Sequence, residues 1–478
     1  MDPGARKAQL SPEQRARVEA RLRQNASAGT PRIPLRELGQ AVPLSFAQER
    51  MWKWERIPIT SPLHNAPSAL RLRGELDIPR LEWSLNQIVR RHEPLRFVFE
   101  GDAGTPLQRP LHHMTIPIVI REIHGANEEE RAAKTRESAA EEARTPFDLS
   151  RGPLLRAAVL RFAPDDHALL LTLHHLVFDG WSKGVLIREL LAFYRGARDS
   201  TLPELPIQFG DFAVWQRSTR GVDEGTSDIG YWKGQLANAS TWDFPFQRAR
   251  PERQTFDGHR RWIRLSPELS VQVRAAAERE GATTFMALLA AWAAHCARVT
   301  GQQDLVIGSL VAGRTVPETE LLIGFFVNYL PLRIDCSGGP SFRALLGRVR
   351  RVCLDGYEHQ DAPFQTLVEQ LATGGDPSRH PVFSTTFTLH NGPMPAIQVP
   401  GLHVELIEFD DRLIRLDLEF DLWWSGDRLE GFIVHNTALF DDADIRALTA
   451  GYEDLLGRFT RDPESPAIAE PGSAFSVV

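Results

Sequence analysis

The sequence predicts an α/β protein of two lobes, and three observations lead to that prediction. At 478 residues, the chain is too long for one ordinary hydrophobic core and suits two lobes of roughly 200 residues each. Apolar runs typical of strands alternate with segments of helical periodicity along most of the chain. A polar, glycine-containing stretch at 221–255 separates the halves and predicts a crossover between them.

The first half shows the alternation of strands and helices most clearly. Residues 10–24 predict a short helix with a linker behind it, either a docking element or the stub of a longer chain. We therefore expect an N-terminal helix and linker over 1–36 and a first lobe over 37–220. Within that lobe we predict helices over 78–91, 128–143 and 183–194, and strands over 95–99, 154–162 and 168–175.

The second half predicts a strand-rich lobe over 256–465. A polar tail at 466–478 is expected to be disordered. Strands are predicted near 259–265, 304–310, 327–334, 382–390, 402–408, 415–424 and 428–436, and helices near 267–280, 284–299, 341–356 and 442–459.

Composition excludes several classes of function. The net charge of −7 provides no basic field for nucleic acid. Cys296, Cys336 and Cys353 are odd in number and widely spaced, which argues against a disulfide framework or a zinc site. The charged N-terminus lacks the apolar core of a signal peptide, and the longest apolar stretch, 285–297, is too short to span a membrane. We expect a cytoplasmic protein without a metal and without membrane or nucleic-acid partners.

The most informative stretch is ALLLTLHHLVFDGWS, residues 168–182. Its first part is apolar at almost every position, which predicts a strand buried on both faces. His174 and His175 lie together where that strand ends. Because side chains alternate along a strand, one imidazole must face the packed interior while the other faces a site.

A carboxylate and a glycine follow the two histidines at close range. Asp179 and Gly180 predict a turn, and Asp179 or Ser182 can cap the helix behind it. A histidine capable of acting as a base, a nearby carboxylate and a glycine are compatible with catalysis. Taken alone, the residues leave two interpretations open: a catalytic histidine, or a core histidine with its polar groups satisfied.

HHLVFDG resembles the HHxxxDG motif of the condensation-domain superfamily, which also includes chloramphenicol-acetyltransferase-like enzymes. Further stretches resemble that family's motifs in the same order and cover roughly residues 42–390. They are LSFAQERMW (44–52), RHEPLRFVF (91–99), FGDFAVWQ (209–216), IGFFVNYLPLR (323–333), HQDAPFQ (359–365) and GDPSRHPVF (375–383).

The resemblance implies both a fold and an activity. The fold would be two chloramphenicol-acetyltransferase-like α/β-sandwich lobes in a V-shaped pseudo-dimer, with a tunnel between them and HHxxxDG at its middle. The activity would move an aminoacyl or acyl group from the phosphopantetheine thioester of a peptidyl carrier protein to an amine or an alcohol. The acceptor would be a small molecule or a second carrier-bound group, and the chain itself would bind no cofactor.

The resemblance also implies roles for the residues of the motif. His175 would be the catalytic histidine and His174 a structural one. Asp179 would be structural and, being buried, would need a cationic partner. Arg96 and Arg314 are the candidates for that partner, and we favour Arg96.

Further residues are expected to line the tunnel. Gly180 would leave room for the pantetheine arm, and any side chain there would narrow the passage. The other lining residues would be Trp181, Ser182, Asn328 and Tyr329. Tyr329 stands where the family usually has Thr, which weakens any statement about the substrate.

Two rival functions remain within the same fold. Epimerases of this family resemble HHxxxDxVSW, and that VSW is absent here. Silent recruitment domains typically lose the second histidine of the pair, whereas this chain retains His175. The sequence leaves open whether an amide or an ester would be made, because an alcohol needs a general base more than an amine does.

Overall fold

Two hydrophobic cores organise the chain, one in each half. The predicted helix at 10–24 lies outside the part of the chain that the structure describes. The computed structural model describes residues 33–37, 39–55, 62–101, 106–124, 127–198, 201–220, 228–239, 241–245, 248–371, 376–390, 392, 399 and 401–468.

The first lobe forms a five-stranded sheet in the order β12-β2-β7-β6-β5 and a small sheet in the order β1-β4-β3. Its long helices form where the sequence predicts them, since Asp77 caps α2 and the apolar stripe of that helix is buried. The elements are β1 (Val42–Pro43), α1 (Phe46–Glu55), β2 (Asn65–Gly74), α2 (Ile78–Arg91), β3 (Phe97–Glu100), β4 (Leu107–Pro110), β5 (Ile118–Glu122), α3 (Glu128–Arg144), β6 (Leu155–Ala163), β7 (Asp166–His174), α4 (Gly180–Tyr194) and α5 (Phe209–Arg220).

The second lobe forms a six-stranded sheet in the order β10-β9-β11-β13-β14-β8. Helix α8 is buried along most of its length in the core beside this sheet. The elements are α6 (Asp228–Leu236), β8 (Gly258–Arg264), α7 (Pro267–Arg279), α8 (Thr284–Thr300), β9 (Asp304–Val311), β10 (Asn328–Asp335), α9 (Phe342–Glu358), α10 (Phe364–Leu371), β11 (Thr385–His390), β12 (Leu402–Leu406), β13 (Leu418–Ser425), β14 (Arg428–Asn436) and α11 (Asp442–Arg461).

The two halves exchange segments, which the sequence did not predict. Strand β12 lies late in the chain, but it pairs antiparallel with β2 and completes the first lobe's sheet. Phe325 and Phe326 also belong to the first lobe's core. In the other direction, Trp232 and Trp242 of the predicted crossover pack into the second core. The strand predicted near 402–408 therefore exists but serves the opposite lobe.

The remaining expectations about the chain have mixed outcomes. Among the described residues no single helix is long and apolar enough to cross a membrane, although α7 and α8, bent by 102°, satisfy length and composition together. The three cysteines are free and buried. The expectation of a disordered tail from residue 466 is wrong at its start, because Ala467 is completely buried and its N–H donates to the Pro340 carbonyl. The tail from 469 lies outside the described residues.

Candidate active site

Strand β7 carries the paired histidines to the end of the first lobe's sheet. All nine of its residues are buried, and it pairs with β2 on one side and β6 on the other. The strand ends at His174, and a tight turn over His175–Val177 follows. The two imidazoles consequently leave the strand in different directions, and their surroundings differ.

His175 presents one ring nitrogen that the described residues leave free. Its Nδ1 lies 3.0 Å from the carbonyl oxygen of Phe178 and must donate to it, because a carbonyl only accepts. The neutral ring therefore carries its lone pair on Nε2. The side chain is half-buried, and its ring centroid lies 6.0 Å from that of Phe325 in the other half of the chain.

The surroundings of His175 keep its imidazole neutral. Burial, followed by the positive charge of Arg415, lowers the pKa of His175 to about 3. Both effects disfavour the imidazolium form. The hydrogen bond to the Phe178 carbonyl opposes them, but it is the smaller influence.

His174 belongs to a closed polar cluster. Its Nδ1 accepts a hydrogen bond from the N–H of Leu176 at 3.1 Å, and its Nε2 lies 3.3 Å from a carboxylate oxygen of Glu55. His64 Nδ1 contacts the same oxygen. Burial opposes ionisation of Glu55, but the contacts with His174 and His64 outweigh it and lower the pKa of Glu55 to about 2. A buried anion therefore fixes His174.

Asp179 is the centre of a second closed cluster. It caps helix α4 by accepting from the N–H of Ser182 at 2.7 Å, and it also accepts from the N–H of Phe326 at 3.1 Å. Arg314 Nη2 lies 3.1 and 3.3 Å from its two carboxylate oxygens. Both side chains are 1% exposed. Asp179 thus links the two halves of the chain.

Two predictions about this cluster are wrong. Arg96, which we favoured as the partner of Asp179, instead donates to backbone carbonyls, including that of Val89 at 3.0 Å. The partner is the alternative candidate, Arg314. Ser182, predicted to line the tunnel, is completely buried, and its hydroxyl donates to the Gly324 carbonyl at 2.9 Å. Because the Ser182 hydroxyl is buried between Gly324 and Arg314, it has no surface left for a substrate.

Gly180 and Trp181 lie at the open side of the motif. A Cβ added to Gly180 would meet no atom within 4 Å, so space is available beside the first turn of α4. Trp181 is half-buried, and its indole N–H donates to the Glu320 carbonyl at 2.9 Å. The glycine is therefore not required for backbone packing here, and its openness is compatible with a passage.

Asn328 and Tyr329 begin strand β10 and have different surroundings. The side-chain amide of Asn328 donates to the carbonyls of Gln360 and Ala362 at 2.9 and 2.7 Å, so both of its N–H groups hold the neighbouring loop. Tyr329 is half-buried, with the guanidinium of Arg50 stacked 4.6 Å from its ring centroid. Asn328 thus holds the neighbouring loop through its side chain, and both Asn328 and Tyr329 remain partly exposed.

The sequence reasoning missed Glu55, His64 and Arg415. Each influences the paired histidines by charge or direct contact. No spacing rule connects residues so far apart in the chain, and only the closeness of Glu55 to the 44–52 motif offered a signal. Within the described ranges, no group of three or more His, Cys, Asp or Glu side chains could hold a metal ion.

The fold and this site define the class of protein, a two-lobed α/β protein with a half-buried histidine between lobes that exchange segments. The model of the condensation-domain family matches residues 39–470. The chain therefore belongs to the condensation-domain family of nonribosomal peptide synthetases.

Two curated relatives illustrate this membership. One of the linear gramicidin synthase proteins of Brevibacillus parabrevis is 39% identical over 429 residues, covering 88% of this chain and 8% of that protein. Phosphinothricin tripeptide synthetase PhsC of Streptomyces viridochromogenes is 39% identical over 472 residues, covering 97% of this chain and 43% of that protein. The chain thus spans less than half the length of either relative.

Solved structures agree with the fold. The X-domain from teicoplanin biosynthesis superposes with a TM-score of 0.80 at 30% identity, covering 91% of this chain and 99% of that one. The first condensation domain of the CDA synthetase superposes with a TM-score of 0.76 at 21% identity, covering 90% and 98%. At that lower identity the likeness concerns the fold alone, which is the predicted pair of acetyltransferase-like lobes.

Proposed function

We propose that this chain is an acyltransferase that forms an amide, joining an acyl or aminoacyl thioester on a carrier protein's phosphopantetheine to an amine. The observation that carries the proposal is the free Nε2 of His175, fixed by the Nδ1 hydrogen bond and partly exposed beside Phe325. His174, by contrast, is 1% exposed, and its Nε2 lies 3.3 Å from the Glu55 carboxylate, where a substrate cannot reach it.

The low basicity of His175 favours an amine over an alcohol as the acceptor. A general base is most effective when its pKa lies near the working pH, and the pKa of His175 is about 3. An alcohol needs that base to become nucleophilic, whereas an α-amine, with a pKa near 8, is already partly neutral at pH 7. In this proposal Nε2 of His175 accepts a hydrogen bond from the neutral amine and thereby points the lone pair of the amine nitrogen at the thioester carbon. The C–N bond forms as the C–S bond breaks, and the proton lost by the amine nitrogen leaves with the phosphopantetheine sulfur as a thiol.

The carrier protein enters the proposal from the family alone. Relatives such as the gramicidin synthase protein are far longer than this chain, so the carrier and the acyl group must be found by experiment. The half-buried Tyr329, with Arg50 stacked on its ring, is one residue placed to influence which substrates fit.

The direct test measures product from carrier proteins loaded with a panel of acyl groups and supplied with amines and alcohols. We expect amide formation by the wild type and a loss of roughly 10²-fold in His175→Ala, the scale on which a misplaced reactant slows a reaction. His174→Gln is not a suitable control because it would disturb the Glu55 cluster. Arg151→Ala, at a side chain 86% exposed, is a better one. Unchanged product formation in His175→Ala would refute the proposal.

The pKa of His175 also predicts the pH profile. Since its pKa lies near 3, the imidazole stays neutral from pH 5 to 8, and no inflection from this group appears in that interval. The rate with an α-amine should instead rise with pH as the amine loses its proton, up to a pKa near 8. Rates measured with amines of graded pKa check this. An inflection near pH 6.5 that stays fixed across the amines and vanishes in His175→Gln would contradict it.

The second candidate is a binding domain that makes no product. Its support is the X-domain from teicoplanin biosynthesis, which was also solved in a complex with OxyB. In that case this chain would bind a partner enzyme through its surface, and His175 would be dispensable. Absence of transfer across the whole substrate panel, in a protein that still binds loaded carrier, would favour this second function.

A further inference from the structure

The sheet of the second lobe has two faces of opposite character. Side chains alternate along a strand, and on β11 and β13 one set, including Phe387, Phe420 and Leu422, is completely buried in the core. The other set on the same strands carries polar groups. It includes Thr386, Thr388, His390, Glu419 and Asp421, and it continues with Trp423 and Ser425 towards the end of β13.

The end of β11 that carries His390 lies near the HHLVFDG motif. Gly392, two residues beyond His390, is so close to the start of α4 that an added Cβ would lie 3.8 Å from the Cα of Trp181. Consecutive Cα atoms are 3.8 Å apart, so the Cα of His390 lies within about 8 Å of the Cα of Gly392. The charge of Arg415 lowers the pKa of His175, and the charge of Asp421 in turn raises the pKa of Arg415.

One carboxylate on this face is already occupied. Glu419 accepts from the backbone N–H of Arg415 at 3.1 Å, from its Nε at 3.3 Å and from its Nη2 at 3.1 Å. Because both oxygens of Glu419 are engaged by one guanidinium, this pair has little charge left for a ligand.

The second carboxylate keeps free capacity. Asp421 Oδ1 lies 2.6 Å from Nε2 of His390, and among the described residues its other oxygen makes no hydrogen bond. The side chains of Asp421 and His390 are 14% and 44% exposed, so a ligand can reach them. Beside them, Thr388 pairs directly with Asp421 across the sheet, and its buried hydroxyl has no partner in the part of the chain described. A native structure seldom leaves a buried hydroxyl unsatisfied.

We propose that Asp421, with His390 and Thr388, forms a subsite for a protonated amine of the substrate. An ammonium group brings donors only. The free oxygen of Asp421 and the hydroxyl of Thr388 both accept, and the charge of Asp421 balances that of the ligand. The inference rests on the proposed acyl transfer, since it assigns this subsite to a substrate of that reaction. The amine is either the α-amine of an aminoacyl group or an amine at the end of its side chain.

The test measures binding rather than turnover. Alanyl, lactoyl and propanoyl thioesters of N-acetylcysteamine differ only in carrying an ammonium, a hydroxyl or a hydrogen at the same position. Calorimetric titration of each into the His175→Ala protein avoids turnover. A fourth ligand, the Nα-acetyl-lysyl thioester, carries only a side-chain ammonium and separates the two sources of the amine.

We expect at least one ammonium ligand to bind roughly ten- to a hundredfold more tightly than the propanoyl thioester, the range of a hydrogen bond to a charged group. Asp421→Asn should abolish that preference. Thr388→Val, which keeps the shape of the side chain, should reduce it severalfold. Asp427→Asn, at an exposed aspartate in the turn after β13, should leave it intact.

Equal affinities for all four ligands would overturn the subsite, as would a preference that survives in Asp421→Asn or disappears equally in Asp427→Asn. The two proposals fail separately. A wild-type protein that makes no amide yet shows the Asp421-dependent preference would refute acyl transfer and retain the amine subsite. A wild-type protein that makes the amide but shows no preference for the ammonium ligands would retain acyl transfer and refute the amine subsite.

Discussion

His174 and His175 are neighbours in the chain, yet the structure gives them opposite surroundings. His174 is 1% exposed and lies against the buried anion Glu55. His175 is half-buried, has a backbone carbonyl on one nitrogen, and lies within the field of the cation Arg415. The difference teaches that the site is built as an open imidazole beside closed polar clusters. The clusters hold the backbone, and among the described residues Nε2 of His175 is left without a hydrogen-bond partner.

The closed cluster around Asp179 gives the largest expected effect on stability. Arg314→Ala leaves the carboxylate of Asp179 buried without its cation, and breaking a buried pair in this way costs about 3–5 kcal/mol. Arg151→Ala removes an exposed arginine whose nearest carboxylate oxygen is 3.8 Å away, and should cost under about 1 kcal/mol. Urea unfolding of both variants measures the difference. Similar losses would show that the Asp179 cluster is not a fixed crosslink.

The cluster around His174 is the next to test. Glu55→Gln keeps the shape but removes the charge that His174 and His64 share, so we expect a loss of about 1.5–3 kcal/mol. The depressed pKa of Glu55 gives this stabilisation a pH dependence. It is complete above the ordinary glutamate pKa of 4.5 and is lost as pH falls towards about 2. The difference in unfolding free energy between the wild type and Glu55→Gln should therefore be smaller at pH 3 than at pH 7.

A third histidine shows what burial does without a carboxylate. His295, inside α8, is 2% exposed, and burial lowers its pKa to about 4. Between pH 6.5 and 4 the unfolded chain takes up the proton and the folded chain does not. The free energy of unfolding therefore decreases as the pH is lowered. From pH 7 to pH 5 this one group should remove about 2 kcal/mol. Guanidinium titrations at pH 7 and pH 5 measure the change in unfolding free energy between the two pH values. In His295→Gln this change should be smaller than in the wild type by that amount.

The smallest expected effect on stability lies on the open side of the motif. Gly180→Ala places a methyl group where no atom lies within 4 Å, so the free energy of unfolding should change by less than about 0.5 kcal/mol. Any loss of acyl transfer in this variant then reports contact with a substrate. A destabilisation of several kcal/mol would instead mean that Gly180 is needed for the backbone.

The sequence predicted most helices and strands, because these depend on local patterns. Helix α2 spans the residues that its periodicity predicted, and strand alternation predicted different surroundings for His174 and His175 without saying which would be buried. What failed depends on distant contacts. Nothing local distinguishes Arg96 from Arg314 as the partner of Asp179, or reveals that Ser182 is bridged to Gly324 from the other half of the chain.

The strand β12 has a consequence for synthesis of the protein on the ribosome. Its ladder joins Leu402 to Gly74 and Leu406 to Leu70. Strand β2 therefore has no partner on this side until more than three hundred further residues have been synthesised. During that interval β2 has an unpaired edge, which is a hazard for aggregation. Only a change in the order of the elements along the chain would shorten the interval between the synthesis of β2 and that of β12.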